Sequence, residues 1–200
     1  MFIRRETFNQ FIKMYPVISI ILTINTLLFL AIHLPFFPKN TIISQLMGVN
    51  LYIKEGQLWR LVTPTFLHSA LTHFIFNMLA LLIFGPAIER MLRPFRFIIF
   101  YLLCGIGANT ITFLVKPLTY SHLGASGVIF GLLGFYLYIV FFKAKLLTKQ
   151  DSQMIKAMTA ITFIMSFLQP NVNFIAHFSG CLIGFIVAQF FTKKIDYTFF

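Results

Sequence analysis

The 200-residue chain is long enough for one domain and too short for two comfortable ones. It is 58% hydrophobic and only 10% charged, where a soluble domain carries about 25% charged residues, so it cannot cover a water-facing surface. The net charge of +11 sits in short basic clusters between apolar runs, which fits membrane topology and argues against a nucleic-acid partner.

Six apolar segments follow in chain order, at about 16–36, 70–88, 96–115, 125–142, 156–169 and 174–192. A helix needs about 20 residues to cross ~30 Å of hydrocarbon. The first, third, fourth and sixth segments meet that length, the second is interrupted by His73 and Asn77, and the fifth is short. The pattern predicts an all-α membrane protein with six spans over 16–192. A short segment 1–15 precedes them and a tail 193–200 follows. The first apolar run is too long for a signal-peptide core and lacks a small-x-small cleavage site. With the N-terminus inside, the cytoplasmic segments hold twelve Lys and Arg: Arg4, Arg5, Lys13, Arg90, Arg93, Arg96, Lys143, Lys145, Lys149, Lys156, Lys193 and Lys194. The outer segments hold four, Lys39, Lys54, Arg60 and Lys116, so both termini are expected in the cytoplasm.

The connection at 38–68 is long for a compact bundle and rich in apolar residues, so it is expected to lie in the outer interface, with Trp59 at headgroup depth. Cys104 and Cys181 fall inside apolar runs and read as packing residues rather than a disulfide. No HExxH, Cys/His metal spacing or Gly-rich phosphate loop is present.

Polar groups inside spans are costly and face the bundle interior. Segments two, four and six all start outside and run inward. At 1.5 Å per residue, His73, Asn77, Ser126 and His177 fall within roughly the outer 10–15 Å of the core. His73 and Asn77, four apart, share a helix face. Gly127, Gly131 and Gly134 form one small-residue stripe, and Gly180 and Gly184 extend another from His177; such stripes let membrane helices approach closely. If the stripes meet, the Ser126 hydroxyl reaches the His177 imidazole, which can take its proton. Only Glu55 among the five acids lies on the outer side, so a Ser–His dyad without a carboxylate is expected. The imidazole would be oriented by packing, with Phe130 able to stack on it. The Gly124-Ala125-Ser126-Gly127 run opens a helix with free N–H groups, and His73 and Asn77 can add donors to an oxyanion. Asn109 and Gln169 are expected to hydrogen-bond within the bundle; His33 and His122 lie near the interface and need no function.

From about Trp59 to Gly184 the chain resembles the rhomboid proteases. The resemblance rests on Trp59-Arg60, His68-x4-His73-x3-Asn77, Gly124-x-Ser126-Gly127 and Ala176-His177-x2-Gly180-x3-Gly184, in that order. It implies a minimal six-helix rhomboid core, Ser126 as nucleophile, and His177 as general base and then acid. It implies an oxyanion hole of His73, Asn77 and the Ser126 N–H. It makes His68 a structural or water-retaining residue and Trp59 with Arg60 an anchor for the first loop in the outer leaflet. Glu89-Arg90 resembles a structural pair at the cytoplasmic end of the second helix. The implied substrates are single-pass membrane helices cut near their outer ends, with no metal or organic cofactor. The chain departs from many relatives in having Phe130 where they carry Tyr, and Ile175 where they often carry Gly. The oligomeric state is not fixed by the sequence; a multi-pass protein of a bacterial plasma membrane is expected. Two other functions compete: an inactive rhomboid-like binder of membrane clients, disfavoured because Ser126 and His177 are both kept, and a small transporter, disfavoured because the polar groups stop in the outer half.

Overall fold

A computed structural model of the chain describes residue 2, residues 6–169 and residues 172–193. Arg4, Arg5 and Lys194, which enter the orientation argument, and the tail beyond Lys193 lie outside the described residues.

Helix α1 (Phe8–Met14) opens with a reciprocal cap: Gln10 N–H donates to Thr7 Oγ1 and Thr7 N–H to Gln10 Oε1. Helix α2 (Pro16–His33) starts on a proline and has no side-chain cap of its own. Its buried first-turn donors are met from far along the chain. Val17 and Ile18 N–H donate to the two carboxylate oxygens of Glu89, at 2.9 Å each. A negative group at a helix N-terminus also complements the helix dipole. The Glu89 carboxylate therefore serves α2, while its neighbour Arg90 is exposed.

The connection after α2 is ordered by two short helices, α3 (Lys39–Leu46) and α4 (Asn50–Lys54), and two single 3-10 turns, Leu58–Leu61 and Thr63–Phe66. Helices α5 (Leu71–Leu92) and α6 (Pro94–Val115) follow, reversing at Arg93, which has φ 65°. Then come α7 (Ser126–Phe142), α8 (Lys149–Leu168) and α9 (Phe174–Phe191). A two-residue antiparallel ladder, β1 (Gly48–Val49) with β2 (Ser121–His122), is a small exception to the all-α expectation.

By length and composition, α2, α5, α6 and α9 are able to cross a membrane. The fourth segment, read as 125–142, becomes α7 (Ser126–Phe142), a shorter apolar helix than these four. Helix α7 has 17 residues, about 25 Å, because Gly124 at φ 120° stops the helix from extending backwards. Segment five is longer than expected, because Thr148 caps α8 by accepting the Asp151 N–H, and its polar first turns precede the apolar run. Segment two runs on through Pro86 to Leu92.

Helix α7 is the centre of the bundle, and most of its residues are buried. It meets α9 backbone to backbone. A Cβ on Gly180 would strike the Gly127 carbonyl oxygen, and one on Gly184 the Gly131 carbonyl; one on Gly134 would strike the Cys181 carbonyl. The two glycine stripes thus face each other. On the opposite side of α7, Tyr136 Oη donates to the Phe84 carbonyl of α5 at 2.7 Å. Gly85 of α5 lets α2 in close, where a Cβ would collide with the Ile18 side chain.

Two variants separate these constraints. Gly184→Ala places a methyl against backbone that cannot yield, and should lower the thermal midpoint of the solubilised protein sharply, at a cost of about 1–3 kcal/mol. Glu89→Ala leaves two N–H groups unpaired and should cost about 1–3 kcal/mol, with Glu89→Gln intermediate; equal midpoints for wild type and Glu89→Ala would show that the cap contributes nothing.

Candidate active site

The site lies where α7 and α9 begin. Ser126 is the first residue of α7 and His177 the fourth of α9. The glycine contact brings their side chains together: Ser126 Oγ and His177 Nε2 are 2.7 Å apart. The Phe130 ring stacks on the His177 imidazole, centroids 4.2 Å apart and planes 13° apart. Phe163 of α8 abuts Phe130 edge-on at 4.8 Å.

Sequence reasoning left the imidazole to packing alone. The structure adds a second hydroxyl, because Ser166 Oγ of α8 lies 2.6 Å from His177 Nδ1. Depth would have pointed to it. On the expected topology segment five runs outward, and Ser166 near its end falls at the height expected for the other polar groups. A second unforeseen residue is Asn173. Its Oδ1 accepts the Ala176 N–H and so caps α9, and its Nδ2 donates to Thr112 Oγ1 of α6. Asn173 thereby sets where the first turn of α9, with His177, sits against α6.

The approach to Ser126 is pinned from both sides. Gly124 N–H donates to the Pro64 carbonyl at 2.8 Å, and Ala125 N–H to His68 Nε2 at 3.4 Å. Gly124 has φ 120°, and a Cβ there would also meet the His73 ring, so glycine is required twice over. His73 thus rests on the strand of chain that leads to the serine. Asn77 is buried, with its Nδ2 donating to the His73 carbonyl at 2.7 Å; the amide keeps a second hydrogen free. The first N–H groups of α7, at Ser126 and Gly127, precede its internal hydrogen-bond ladder.

His68 is fully buried, and burial, reinforced by neighbouring His73 and opposed by the Asn77 amide, lowers its pKa to about 3. It is therefore a neutral acceptor for Ala125. His122 in β2 is also depressed by burial, to about 4; its ring fills the space where Gly48 has no side chain.

Trp59 is half exposed and donates to the Gln45 carbonyl. Arg60, expected with Trp59 to anchor the first loop, makes its contacts within the loop itself. It is buried, donates to the Met47 carbonyl at 2.6 Å and to Gln57 Oε1 at 2.7 Å, and lies over the Tyr52 ring, bracing the loop from within. That loop in turn holds the segment before Ser126: Asn50 Nδ2 donates to the Lys116 and Pro117 carbonyls, and β1 pairs with β2. Asn109 of α6 donates to the Leu61 carbonyl, whereas Gln169 is exposed at the end of α8. Among the described residues no group of three or more His, Cys, Asp or Glu could hold a metal ion.

A bundle with apolar spans that sets a serine hydroxyl against an imidazole at one end belongs to the class of membrane-embedded serine hydrolases. Residues 55–194 match the Rhomboid domain family model. The chain is 41% identical to the rhomboid protease YdcA of Bacillus subtilis (strain 168), over 97% of this chain and 98% of that protein. It is 37% identical to the rhomboid protease GluP of the same organism over 70% of this chain, which is 27% of that longer protein. RHOMBOID-like protein 1 of Arabidopsis thaliana is 28% identical over 83% of this chain and 43% of its own length. The chain belongs to the rhomboid family and is a multi-pass membrane protease of that type.

A histidine whose pKa is lower folded than unfolded favours folding above its unfolded value and loses that contribution as pH falls toward the folded one. For His68 and His122 the window runs from about 6.5 down to about 3–4. The midpoint of the solubilised protein should therefore fall from pH 7 to pH 4, and His68→Gln should flatten that slope while lowering the midpoint at pH 7. An unchanged slope in the variant would show that His68 does not titrate in this window.

Proposed function

We propose that the chain is an intramembrane serine endopeptidase that cuts single-pass membrane helices near the outer face, through a Ser126–His177 dyad. The observation that carries this reading is the 2.7 Å contact between Ser126 Oγ and His177 Nε2 in a chain of this family. On this reading His177 Nε2 takes the Ser126 proton as Oγ bonds to the scissile carbonyl carbon. The carbonyl oxygen becomes an oxyanion, met by the N–H groups of Ser126 and Gly127 at the positive end of α7, with His73 and the free Asn77 hydrogen as further donors. The imidazolium then passes its proton to the amide nitrogen, and the C–N bond breaks. Water, deprotonated by the same imidazole, hydrolyses the acyl-enzyme and restores Ser126.

On this reading α7 and α8 join α2, α5, α6 and α9 as six spans over a core of 16–192, and a substrate helix enters from the bilayer. With both termini cytoplasmic, the ends of α7 and α9 that carry the dyad, and the end of α5 that carries His73 and Asn77, face outward. A bacterial plasma membrane fits the nearly full-length likeness to a Bacillus protein.

Purified protein in liposomes should cleave a single-pass reporter, and Ser126→Ala and His177→Ala should each reduce the rate at least about 1,000-fold. A serine-directed fluorophosphonate should label wild type and not Ser126→Ala. Cleavage that persists in Ser126→Ala would remove the nucleophile assignment.

A further inference from the structure

Resting on that dyad reading, we infer that Ser166 is the positioning residue of the base, its hydroxyl oxygen accepting Nδ1–H of His177. A neutral imidazole carries one ring hydrogen. For Nε2 to receive the Ser126 proton, that hydrogen must sit on Nδ1, and a buried N–H needs an acceptor. Ser166 Oγ at 2.6 Å occupies that position.

The placement of Ser166 is specific. Most of α8 is open to its surroundings: Ile161, Ile164, Met165, Phe167 and Leu168 are all exposed. Its buried residues are Ile155, Thr159 and Ser166. A buried hydroxyl on so apolar a stretch stands against the single nitrogen of the site that the serine nucleophile leaves free. Phe163, one turn earlier on the same face, braces the Phe130 ring that stacks on the imidazole. Helix α8 thus holds the base twice, once through its nitrogen and once through its ring.

No carboxylate takes this position. Glu89, a buried acid, is spent on Val17 and Ile18. A buried carboxylate would impose a desolvation cost that a hydroxyl does not. In return the hydroxyl gives a weaker grip: it can rotate and donate to Nδ1, which would move the ring hydrogen to Nε2 and silence the base. Ser166 exchanges no proton in the reaction. It stays the acceptor when His177 becomes doubly protonated, a charge-assisted bond that is stronger than the neutral one.

The test compares Ser166→Ala and Ser166→Thr in the liposome cleavage assay, with ¹⁵N NMR of histidine-labelled protein in a Ser126→Ala background. Ser166→Ala should lower kcat about 10- to 100-fold with KM changed less than about twofold. Ser166→Thr, which keeps the hydroxyl, should recover most of that loss. The NMR spectra should show His177 protonated on Nδ1, with the Nε2-protonated form rising when Ser166 is Ala. Unchanged kcat in Ser166→Ala would overturn the inference while leaving the dyad intact. A loss shared equally by Ala and Thr, with the tautomer unmoved, would also overturn it and leave Ser166 a packing residue. The dyad stands or falls separately, on Ser126→Ala and His177→Ala, and the NMR readout needs no turnover.

Discussion

Two helices in this molecule touch through their backbones, and the site depends on that contact. Gly127 against Gly180 and Gly131 against Gly184 leave no room for a methyl group. In a bilayer, lipid tails are as apolar as leucine, so helices gain little by hiding side chains from them; close packing and interhelical hydrogen bonds must hold the pair instead. The contact also fixes the height of one helix against the other. A shift by one residue along either axis would move the helix end by about 1.5 Å, enough to break a 2.7 Å hydroxyl–imidazole contact. The packing feature and the chemical feature are therefore one arrangement seen at two scales.

Around this pair the fold arranges polar groups so that few are left facing hydrocarbon. Several bonds reach across long stretches of chain: Glu89 to the start of α2, Asn50 to the carbonyls that end α6, Asn173 to Thr112, Tyr136 to Phe84. Each serves a backbone or side-chain group that water would otherwise satisfy. The connection between α2 and α5 is part of the same scheme. Its 3-10 turns supply the Pro64 carbonyl that receives Gly124 N–H, and His68 just beyond them receives Ala125 N–H. The chain in front of Ser126 is thereby held on a rigid track.

Much of this was readable from residue types and spacing. Small residues at four-residue intervals announced the close helix pair, and the shared depth of His73, Asn77, Ser126 and His177 announced one polar cluster. What spacing could not give was partnership over long separations. Nothing local marks Glu89 as the cap of a helix that begins 73 residues earlier, or Asn173 as a tie to α6. Residue type likewise does not give the partners of Arg60, whose guanidinium finds a carbonyl, an amide and a ring inside the loop. Residue type does not mark Ser166, because a serine in an apolar run usually satisfies itself on its own helix.

The ring of His177 is bracketed by two alcohols and no acid. A triad with a buried carboxylate would carry a fixed formal charge partway across the bilayer. The transmembrane voltage acts on such charges by about 2.3 kcal/mol per unit charge for each 100 mV of potential fully traversed. The resting alcohol–imidazole–alcohol array has no net charge for that field to pull on. On the proposed dyad reading, a membrane potential would find no formal charge at the resting site through which to distort it.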